Sequence, residues 1–352
     1  VRNRTSDLQY GTQAGDGGTA DSVVWQVNTV YGLALDCDNS QLKVYKSNSL
    51  IATVSIQSSQ TWFPWFGAED TSATWVFNWG ARSWAYAAPS GFKALCTANL
   101  PTPLVTKPNT VMDVALWTGN GSSQSITLPG GFNPDLVWVK SRSNSQDHYL
   151  FDAIRGGAGI LRSNTTGAES TGTTYLSFDT SGFSSLNGLS SNGYTYAGWC
   201  WDAGSSTDPN NTAGSITSTV RANATAGFSI VTYTGTGANA SVGHGLGVAP
   251  SLIIIKSRTQ ATARNWAVYH TSIGATKILE LSTTNAAQTV NFWQNTAPTS
   301  TVFTLSSQGD VNASTYNYVA YCFAPVVGYS SFGSYTGNGS TDGPFVYTGF
   351  RP

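Results

Sequence analysis

The side chains that could carry out acid–base or nucleophilic chemistry are few in this sequence. There are three histidines, His148, His244 and His270. A hydrolase needs a base beside its nucleophile, and no Gly-x-Ser-x-Gly turn is present to place a serine. His244 lies in a glycine-rich stretch before an apolar run, which favours a hydrogen-bonding role in a loop over catalysis or metal binding. No His-x-x-x-His spacing indicates zinc.

Paired carboxylates would be needed for glycoside hydrolysis, and three acidic residues are candidates for such a pair. They are Asp147, Asp152 and Glu169. These residues lie in the first of two related segments, and the second segment has Asn265, His270 and Ala287 near the corresponding places. The mismatch weakens the enzyme interpretation, although catalytic residues need not repeat. We therefore predict a chain that is not an enzyme and has no catalytic residue.

Metal and phosphate sites are also weakly indicated. Asp36, Asp38 and Asn39 have the spacing of part of a calcium loop but lack its closing glutamate, so a hairpin turn is favoured. Glycine-rich phrases such as Gly119-Asn120-Gly121 lack the Gly-Lys-Ser/Thr of a phosphate loop and lead into no helix, which favours turns between strands. The sequence predicts no cofactor and no metal ion.

Aromatic residues offer a different kind of site. Trp62, Phe63, Trp65 and Phe66 cannot all face one side of a strand, and one pair of them could stack on sugar rings. Packing inside a sandwich core is the favoured interpretation of these residues. No ligand-binding residue is assigned from the sequence.

The elements that would position these side chains are organised by a phrase that occurs three times. It begins at Trp117-Thr118-Gly119, at Tyr233-Thr234-Gly235 and at Tyr335-Thr336-Gly337, and in each copy a proline lies 16 residues after the threonine. Three copies with one spacing indicate an internal repeat. The first two threonines are 116 residues apart and the last two are 102 apart, so the unit has the size of a domain.

Two further parts of the repeat predict strands. The prolines at 134 and 250 open the apolar runs 135–142 and 251–258, which both close with Lys-Ser-Arg. Continuous apolar runs of this length are typical of strands that are covered on both faces. Each repeat ends with a second matching run, 196–201 and 318–323, which contains Cys200 or Cys322. We predict that the two repeats have the same strand order.

Composition and charge restrict the kinds of protein and partner that fit this sequence. The chain has 352 residues, of which 10% are charged and 12% are aromatic, and its net charge is −1. This balance gives no long-range attraction to nucleic acid or to an anionic membrane. No apolar run is long enough to span a bilayer. The four cysteines, Cys37, Cys96, Cys200 and Cys322, form no Cys-x-x-Cys pair, and the last two are predicted to be small buried residues rather than disulfide partners.

The segment before the repeats predicts strands of its own. A turn at 38–41 separates the strand runs 32–37 and 42–46, and further β-structure is expected at 49–56, 74–80 and 83–86. The runs Gly32-Leu33-Ala34-Leu35-Asp36, Leu42-Lys43-Val44-Tyr45-Lys46, Phe77-Asn78-Trp79-Gly80 and Pro89-Ser90-Gly91-Phe92-Lys93 resemble the second half of a SPRY domain, a β-sandwich. Ser47-Asn48 stands where that family usually has Asn-Gly, and Trp79 where it usually has Phe.

The predicted fold class is therefore all-β, with consecutive β-sandwich-like domains. The predicted domains are a SPRY-like sandwich at 1–104 that lacks its N-terminal part, a first repeat at 105–203, a linker at 204–224, a second repeat at 225–326, and the start of a truncated third repeat at 327–352. The linker is inferred from a stretch rich in Gly, Ser, Thr and Asn.

The repeats resemble a domain that recurs in tail-fibre and other virion structural proteins of bacteriophages, especially those that infect marine bacteria. The resemblance implies a virion structural protein at the particle surface, with a tail-fibre segment that attaches to the host as the first interpretation. A capsid-surface or other non-fibre virion protein, and a secreted glycan-binding protein, are the alternatives. The implied partners are other copies of the chain, as a homotrimer, other virion proteins and a host glycan or protein, without nucleic acid or membrane insertion.

Overall fold

The computed structural model of the chain describes residues 6–10, 18–23, 26, 28–57, 76–96, 99, 102–260 and 262–350. The chain divides into two compact units, Val1–Leu100 and Pro101–Pro352. Strands dominate the described residues, and the helical content is one short α-helix and isolated 3-10 turns. The all-β fold class is confirmed. No helix within the described residues is long and apolar enough to cross a membrane.

The described residues of the first unit form two small antiparallel sheets. One is a hairpin of β1 (Ser6–Tyr10) and β2 (Gly18–Val23). The other has the order β3-β4-β5 and consists of β3 (Tyr31–Asp36), β4 (Gln41–Lys46) and β5 (Ser49–Ser55). The turn predicted between the first two strands of this sheet is confirmed at residues 37–40.

Residues 76–96 depart from the sequence prediction, because no strand forms between them. The side chain of Asn78 takes over part of the hydrogen bonding. Its oxygen accepts the backbone N–H groups of Gly80 and Arg82, and its amide donates to the carbonyl of Arg82 at 3.0 Å. Such local bonds offer the backbone an alternative to a strand ladder. The aromatic run Trp62-Phe63-Pro64-Trp65-Phe66 lies outside the described residues.

The second unit begins with a 3-10 turn at Pro108–Thr110 and continues through the first repeat. Its strands are β6 (Met112–Thr118), β7 (Gln124–Thr127), β8 (Leu136–Ser141), β9 (His148–Asp152), β10 (Gly156–Arg162), β11 (Leu176–Asp179), β12 (Gly182–Ser185) and β13 (Thr195–Trp201). A 3-10 turn at Asn187–Leu189 precedes β13.

Ten strands and one α-helix form in the described residues of the rest of the second unit. The strands are β14 (Thr207–Asn211), β15 (Ser218–Asn223), β16 (Phe228–Thr234), β17 (Ala240–Gly243), β18 (Leu252–Ser257), β19 (Ala267–His270), β20 (Lys277–Glu280), β21 (Gln288–Thr289), β22 (Val302–Leu305) and β23 (Asn317–Phe323). The helix α1 (Gly309–Asn312) precedes β23.

The two repeats share one strand order, as predicted. The large sheet of the first repeat has the order β10-β9-β8-β13-β6, and the second repeat has the corresponding order β20-β19-β18-β23-β16. In the smaller sheets, β12 pairs with β7 and β22 pairs with β17. The registers agree as well, because Cys200 lies opposite Val137 and Cys322 lies opposite Ile253. Both cysteines are buried and free, as the sequence predicted.

The predicted linker at 204–224 is wrong. Strands β14 and β15 lie within it, and β15 pairs with β16 to extend the second large sheet to eight strands. The polar composition is compatible with a strand here because only alternate residues face the core: Ser218 and Val220 are buried, whereas the residue between them is not. The two repeats therefore belong to a single compact unit, which begins at Pro101 rather than at 105.

Three hydrophobic cores hold the second unit together. The first lies between the large and small sheets of the first repeat and includes Val137, and the second lies correspondingly in the second repeat and includes Ile253. The third core is built from the opposite faces of the two large sheets and includes Leu136 and Ile254. The central strands β8 and β18 are thus covered on both faces, which explains their continuous apolar sequences.

The repeated Thr-Gly pair has a packing explanation. A Cβ atom on Gly119 would lie 2.2 Å from the carbonyl oxygen of Ser191, and one on Gly235 would lie 2.1 Å from that of Ala313. Only glycine fits where two backbones approach this closely. The third copy differs, because Gly337 has no atom within 4 Å of the same position.

The start of the predicted third repeat forms no strand in residues 331–350. Tyr335 is 70% exposed, whereas its counterparts Trp117 and Tyr233 are 8% and 4% exposed. The aromatic side chain of the third copy therefore lacks the core that covers the other two. That these residues begin a third repeat stays a prediction.

Candidate functional site

A buried ionic cluster centred on Arg155 lies between the two repeats. The Nε atom of Arg155 is 2.5 Å from Asp152, and Nη1 is 2.8 Å from Glu169. Tyr321, in the second repeat, donates its hydroxyl to Asp152 at 2.8 Å and accepts a hydrogen bond from Arg155 at 3.1 Å. Burial opposes the guanidinium charge, but Asp152, Tyr321 and Glu169 together outweigh it and raise the pKa of Arg155.

Glu169 extends this cluster into the second repeat. Its other carboxylate oxygen accepts a hydrogen bond from Nε of Arg258 at 2.8 Å, and its backbone N–H donates to the carbonyl of Arg258 at 2.8 Å. The Glu169 side chain is only 5% exposed. One carboxylate thus joins two arginines from different repeats, and this contact fixes the repeats against each other.

The lysine of the Lys-Ser-Arg motif has a structural role in both repeats. Lys140 donates to the carbonyl of Gln146 at 2.6 Å, and Lys256 donates to that of Arg264 at 2.5 Å, so each lysine closes the loop after its strand. Lys256 also donates to the carbonyl of Thr166 in the first repeat at 2.9 Å. Burial lowers the pKa of Lys256 to about 8.

The structure places the carboxylates that were candidates for a hydrolytic pair in ion pairs. Asp152 and Glu169 are brought together, but Arg155 lies between them as the shared partner. Asp147 contacts a different arginine, Arg162, at 3.4 Å. The corresponding place in the second repeat has no acid, because His270 lies opposite Leu252 as Asp152 lies opposite Leu136. The ionic cluster around Arg155 therefore belongs to the interface between the two repeats and does not occur once in each repeat.

His244 is fully buried and makes hydrogen bonds through both ring nitrogens. Its Nδ1 accepts the backbone N–H of Leu246 at 3.2 Å, so Nε2 carries the proton and donates to the carbonyl of Thr299 at 3.1 Å. Burial lowers the pKa of His244, and burial likewise lowers the pKa of His148, whose Nδ1 accepts the indole N–H of Trp138 at 3.0 Å. These contacts agree with the loop role predicted for His244.

An NMR titration of the imidazole C–H signals should give midpoints for His244 and His148 below the ordinary value of about 6.5. Since the unfolded chain binds the proton more tightly, the stability contributed by neutral His244 is present above about pH 6.5 and is lost as the pH falls toward the folded midpoint. The variant His244→Gln assigns the signal, and its unfolding free energy should fall less between about pH 7 and pH 5 than that of the unchanged chain. A midpoint at or above 6.5 for His244 would contradict the assignment.

The possible calcium residues form a turn. The two carboxylate oxygens of Asp36 accept the backbone N–H of Asn39 at 3.0 Å and its side-chain amide at 2.9 Å. The side-chain bond and then the backbone bond from Asn39 lower the pKa of Asp36. Within the described ranges, no group of three or more His, Cys, Asp or Glu residues could hold a metal ion.

A cavity of about 290 Å³ lies in the second unit, at one end of the third core. Its wall includes Phe228 and Phe323, whose ring centroids are 4.8 Å apart, and Phe332, which lies 6.4 Å from Phe323. None of the described lining residues is charged. The hydroxyl of Ser330, one of the few polar groups there, donates to the carbonyl of Ala324.

A more open concavity of about 340 Å³ lies in the first unit. We call it the Arg82–Lys93 cleft, and its defining residues are Arg82, Trp84, Tyr86, Phe92 and Lys93. Trp84 is 38% exposed and Tyr86 is 42% exposed. Arg82 and Lys93 are exposed as well, so the cleft combines accessible aromatic rings with two positive charges.

Sequence reasoning missed both the Arg155 cluster and the cleft. The sequence predicts a strand at 83–86, yet Arg82, Trp84 and Tyr86 also have the alternate spacing that would place three side chains on one side of an extended segment. Nothing near Arg155 in the sequence marks it as the centre of a cluster, because its partner Tyr321 is distant in the sequence.

Comparison with known proteins gives one family. A family model described as a domain of unknown function, DUF7483, matches residues 107–352, which covers both repeats and the residues after them. The Arg82–Lys93 cleft lies before the matched segment. No curated protein and no solved structure matches the chain.

Proposed function

Because the chain belongs to the DUF7483 family of domains of unknown function, we propose its role from its own structure and sequence. We propose that it is a structural protein of a bacteriophage particle, located at the particle surface as a segment of a tail fibre that takes part in attachment to the host. The role is mechanical and adhesive, and no catalytic step belongs to it.

The observation that carries this proposal is the joining of the two repeats. They share the third core, and Glu169 ties Arg155 of the first repeat to Arg258 of the second. Small domains on flexible linkers would move independently, because contacts between domains in one chain are usually modest. A continuous core with buried ion pairs resists such bending, and resistance to bending is what a projecting appendage needs.

Electron microscopy of labelled particles tests the proposal. A gold-conjugated antibody raised against the folded chain should decorate a fibre in negatively stained phage particles that encode it. Label on the head would favour the capsid-surface alternative instead. Recovery of the protein in the culture medium without any labelled particle would overturn the virion proposal and favour a secreted glycan-binding protein.

We further propose that the assembled form is a homotrimer. Strand β6 is the edge of its sheet among the described strands, and its Val114 and Leu116 are 40% and 63% exposed. The Asp113 carboxylate already accepts the N–H of Val114 at 2.8 Å, which favours contact through the apolar face over pairing of strand edges. The near-zero net charge offers little electrostatic resistance to association.

Light scattering on the purified chain should give a trimer mass, and Leu116→Glu should shift that mass toward the monomer, because it places a charge in the proposed contact. The matched control is Val248→Glu, which changes another exposed apolar residue, 49% exposed, and should leave the mass unchanged. A monomer at micromolar concentration for the unchanged chain would refute the trimer.

A further inference from the structure

We propose that the Arg82–Lys93 cleft binds an anionic sugar residue, such as a uronic acid, of a host surface polysaccharide. This inference rests on the proposed role in attachment and names the chemical class that the attachment site would recognise. The cleft lies in the first unit, outside the family match.

Two aromatic side chains of the cleft are exposed. Trp84 and Tyr86 present more than a third of their surface to solvent, although both are large side chains that proteins tend to bury. Both side chains line the cleft, so their rings can form part of its wall. Exposed aromatic faces clustered in a concavity are typical of binding sites. The C–H face of a sugar ring is apolar and can stack on such a wall.

The positive charges of Arg82 and Lys93 indicate an anionic ligand. Arg82 and Lys93 both line the cleft, from different segments of the chain, and neither pairs with an acidic residue in the part of the chain that the structure describes. Among the residues of the cleft that the structure describes, none is acidic. A guanidinium offers a planar donor fork that matches a carboxylate, and an ammonium adds a point charge. The complementary ligand is therefore an anion with an apolar ring face.

The cleft is also held in shape before any ligand arrives. Gly80, with φ of +110°, lies so close to the facing segment that a Cβ atom on it would be 2.5 Å from Cβ of Ala94. The Asn78 side chain fixes the loop that carries Arg82 through hydrogen bonds to that loop's backbone. Lys43 lies over the ring of Phe92, 5.8 Å from its centroid. A preformed site loses less entropy on binding.

The size of the cleft suits a saccharide better than a larger partner. About 340 Å³ lies at the low end of the range, roughly 300 to 1,000 Å³, that ligand pockets occupy. A short oligosaccharide fits such a space, whereas a folded partner would need a much broader surface. The apolar cavity in the second unit does not compete for this ligand, because none of its described lining residues is charged.

Isothermal titration calorimetry on the full chain tests the inference, with trigalacturonate as the acidic probe, maltotriose as the neutral probe and a tri-aspartate peptide as the acidic peptide. We expect trigalacturonate to bind at least about tenfold more tightly than either of the others. Raising the salt concentration should weaken that binding, because the charges are exposed to solvent.

Three variants separate the contributions of the cleft residues. Trp84→Ala should weaken trigalacturonate binding about tenfold by removing the stacking wall. The double variant Arg82→Gln with Lys93→Gln should abolish the preference for trigalacturonate over maltotriose. The matched control, Arg142→Gln with Lys277→Gln, removes two exposed cations from the second unit and should leave binding unchanged. Circular dichroism verifies that each variant is folded.

The inference is overturned if trigalacturonate does not bind at about 1 mM, or if the double variant binds it as well as the unchanged chain does. Equal binding of maltotriose would overturn the anionic specificity, and tighter binding of the acidic peptide would replace a sugar with a protein ligand. None of these results alters where the labelled antibody lies on the particle, so a failure here is distinct from a failure of the proposed virion role.

Discussion

Replacing Arg155 with methionine is expected to lower the free energy of unfolding by about 3 to 5 kcal/mol. Arg155 and Asp152 have fully buried side chains, and Glu169 is 5% exposed. Removal of the guanidinium therefore leaves the buried Asp152 carboxylate without its ion-pair partner and Glu169 with Arg258 as its remaining one. Equilibrium denaturation of the full chain in guanidinium chloride, followed by tryptophan fluorescence, measures the effect as a lower transition midpoint.

Two further variants test whether the loss of stability comes from the buried ionic cluster. Arg142→Met removes an exposed arginine of the same repeat and should change the unfolding free energy by no more than about 0.5 kcal/mol. The triple variant Arg155→Met, Asp152→Leu, Glu169→Leu should recover part of the loss, because apolar residues often replace a buried ion group at little cost. If Arg155→Met is as stable as the unchanged chain, the cluster does not hold the repeats together.

The repeat architecture could be predicted from the sequence because its signals are local. Each proline opens an apolar run, the runs 135–142 and 251–258 end alike, and a constant spacing links them to the Thr-Gly pair. Strands β8 and β18 form within those runs. Local turn residues and strand periodicity were sufficient to predict these strands, since the turn residues that end one strand also mark where the next strand begins.

The linker and the interface could not be predicted because they depend on long-range packing. Residues 204–224 have the composition of a loop, yet Ser218 and Val220 reach the core of the second repeat once β15 pairs with β16. The contact of Asp152 with Tyr321 joins residues that are 169 positions apart. Nothing in the neighbourhood of either residue marks the other as its partner.

The Arg82–Lys93 cleft could be predicted from the sequence only in part. The aromatic residues were visible in the sequence, but their spacing equally suits a strand with one buried face. The structure differs because Asn78 closes a local loop at Gly80 and Arg82 and so keeps the segment out of a ladder. A side chain that satisfies nearby backbone groups can override a strand pattern, and this competition is hard to read from composition.

Replacing Trp266 with alanine should also cost about 3 to 5 kcal/mol. Trp266 is fully buried in the third core, and its indole N–H donates to the carbonyl of Arg162 in the first repeat at 2.9 Å. The alanine variant loses the packing and leaves that carbonyl without its donor. Trp266→Phe keeps most of the volume and should cost about 1 to 3 kcal/mol. Trp84→Ala changes an exposed tryptophan and should leave the free energy of unfolding nearly unchanged. Denaturation should therefore show the largest loss of stability for Trp266→Ala, a smaller loss for Trp266→Phe and almost none for Trp84→Ala.

Hydrogen exchange distinguishes coupled repeats from independent ones. If the third core joins the repeats, Trp266→Ala in the second repeat should also lower amide protection in β9 and β10 of the first, because Leu150 and Leu161 pack in the same core. Amides in β6 and β7, which lie farther from that core, serve as the internal comparison and should lose less. Unchanged protection in β9 and β10, with loss confined to the second repeat, would mean that each sandwich opens alone. In that case the joined repeats could not supply the stiffness on which the proposed fibre role depends.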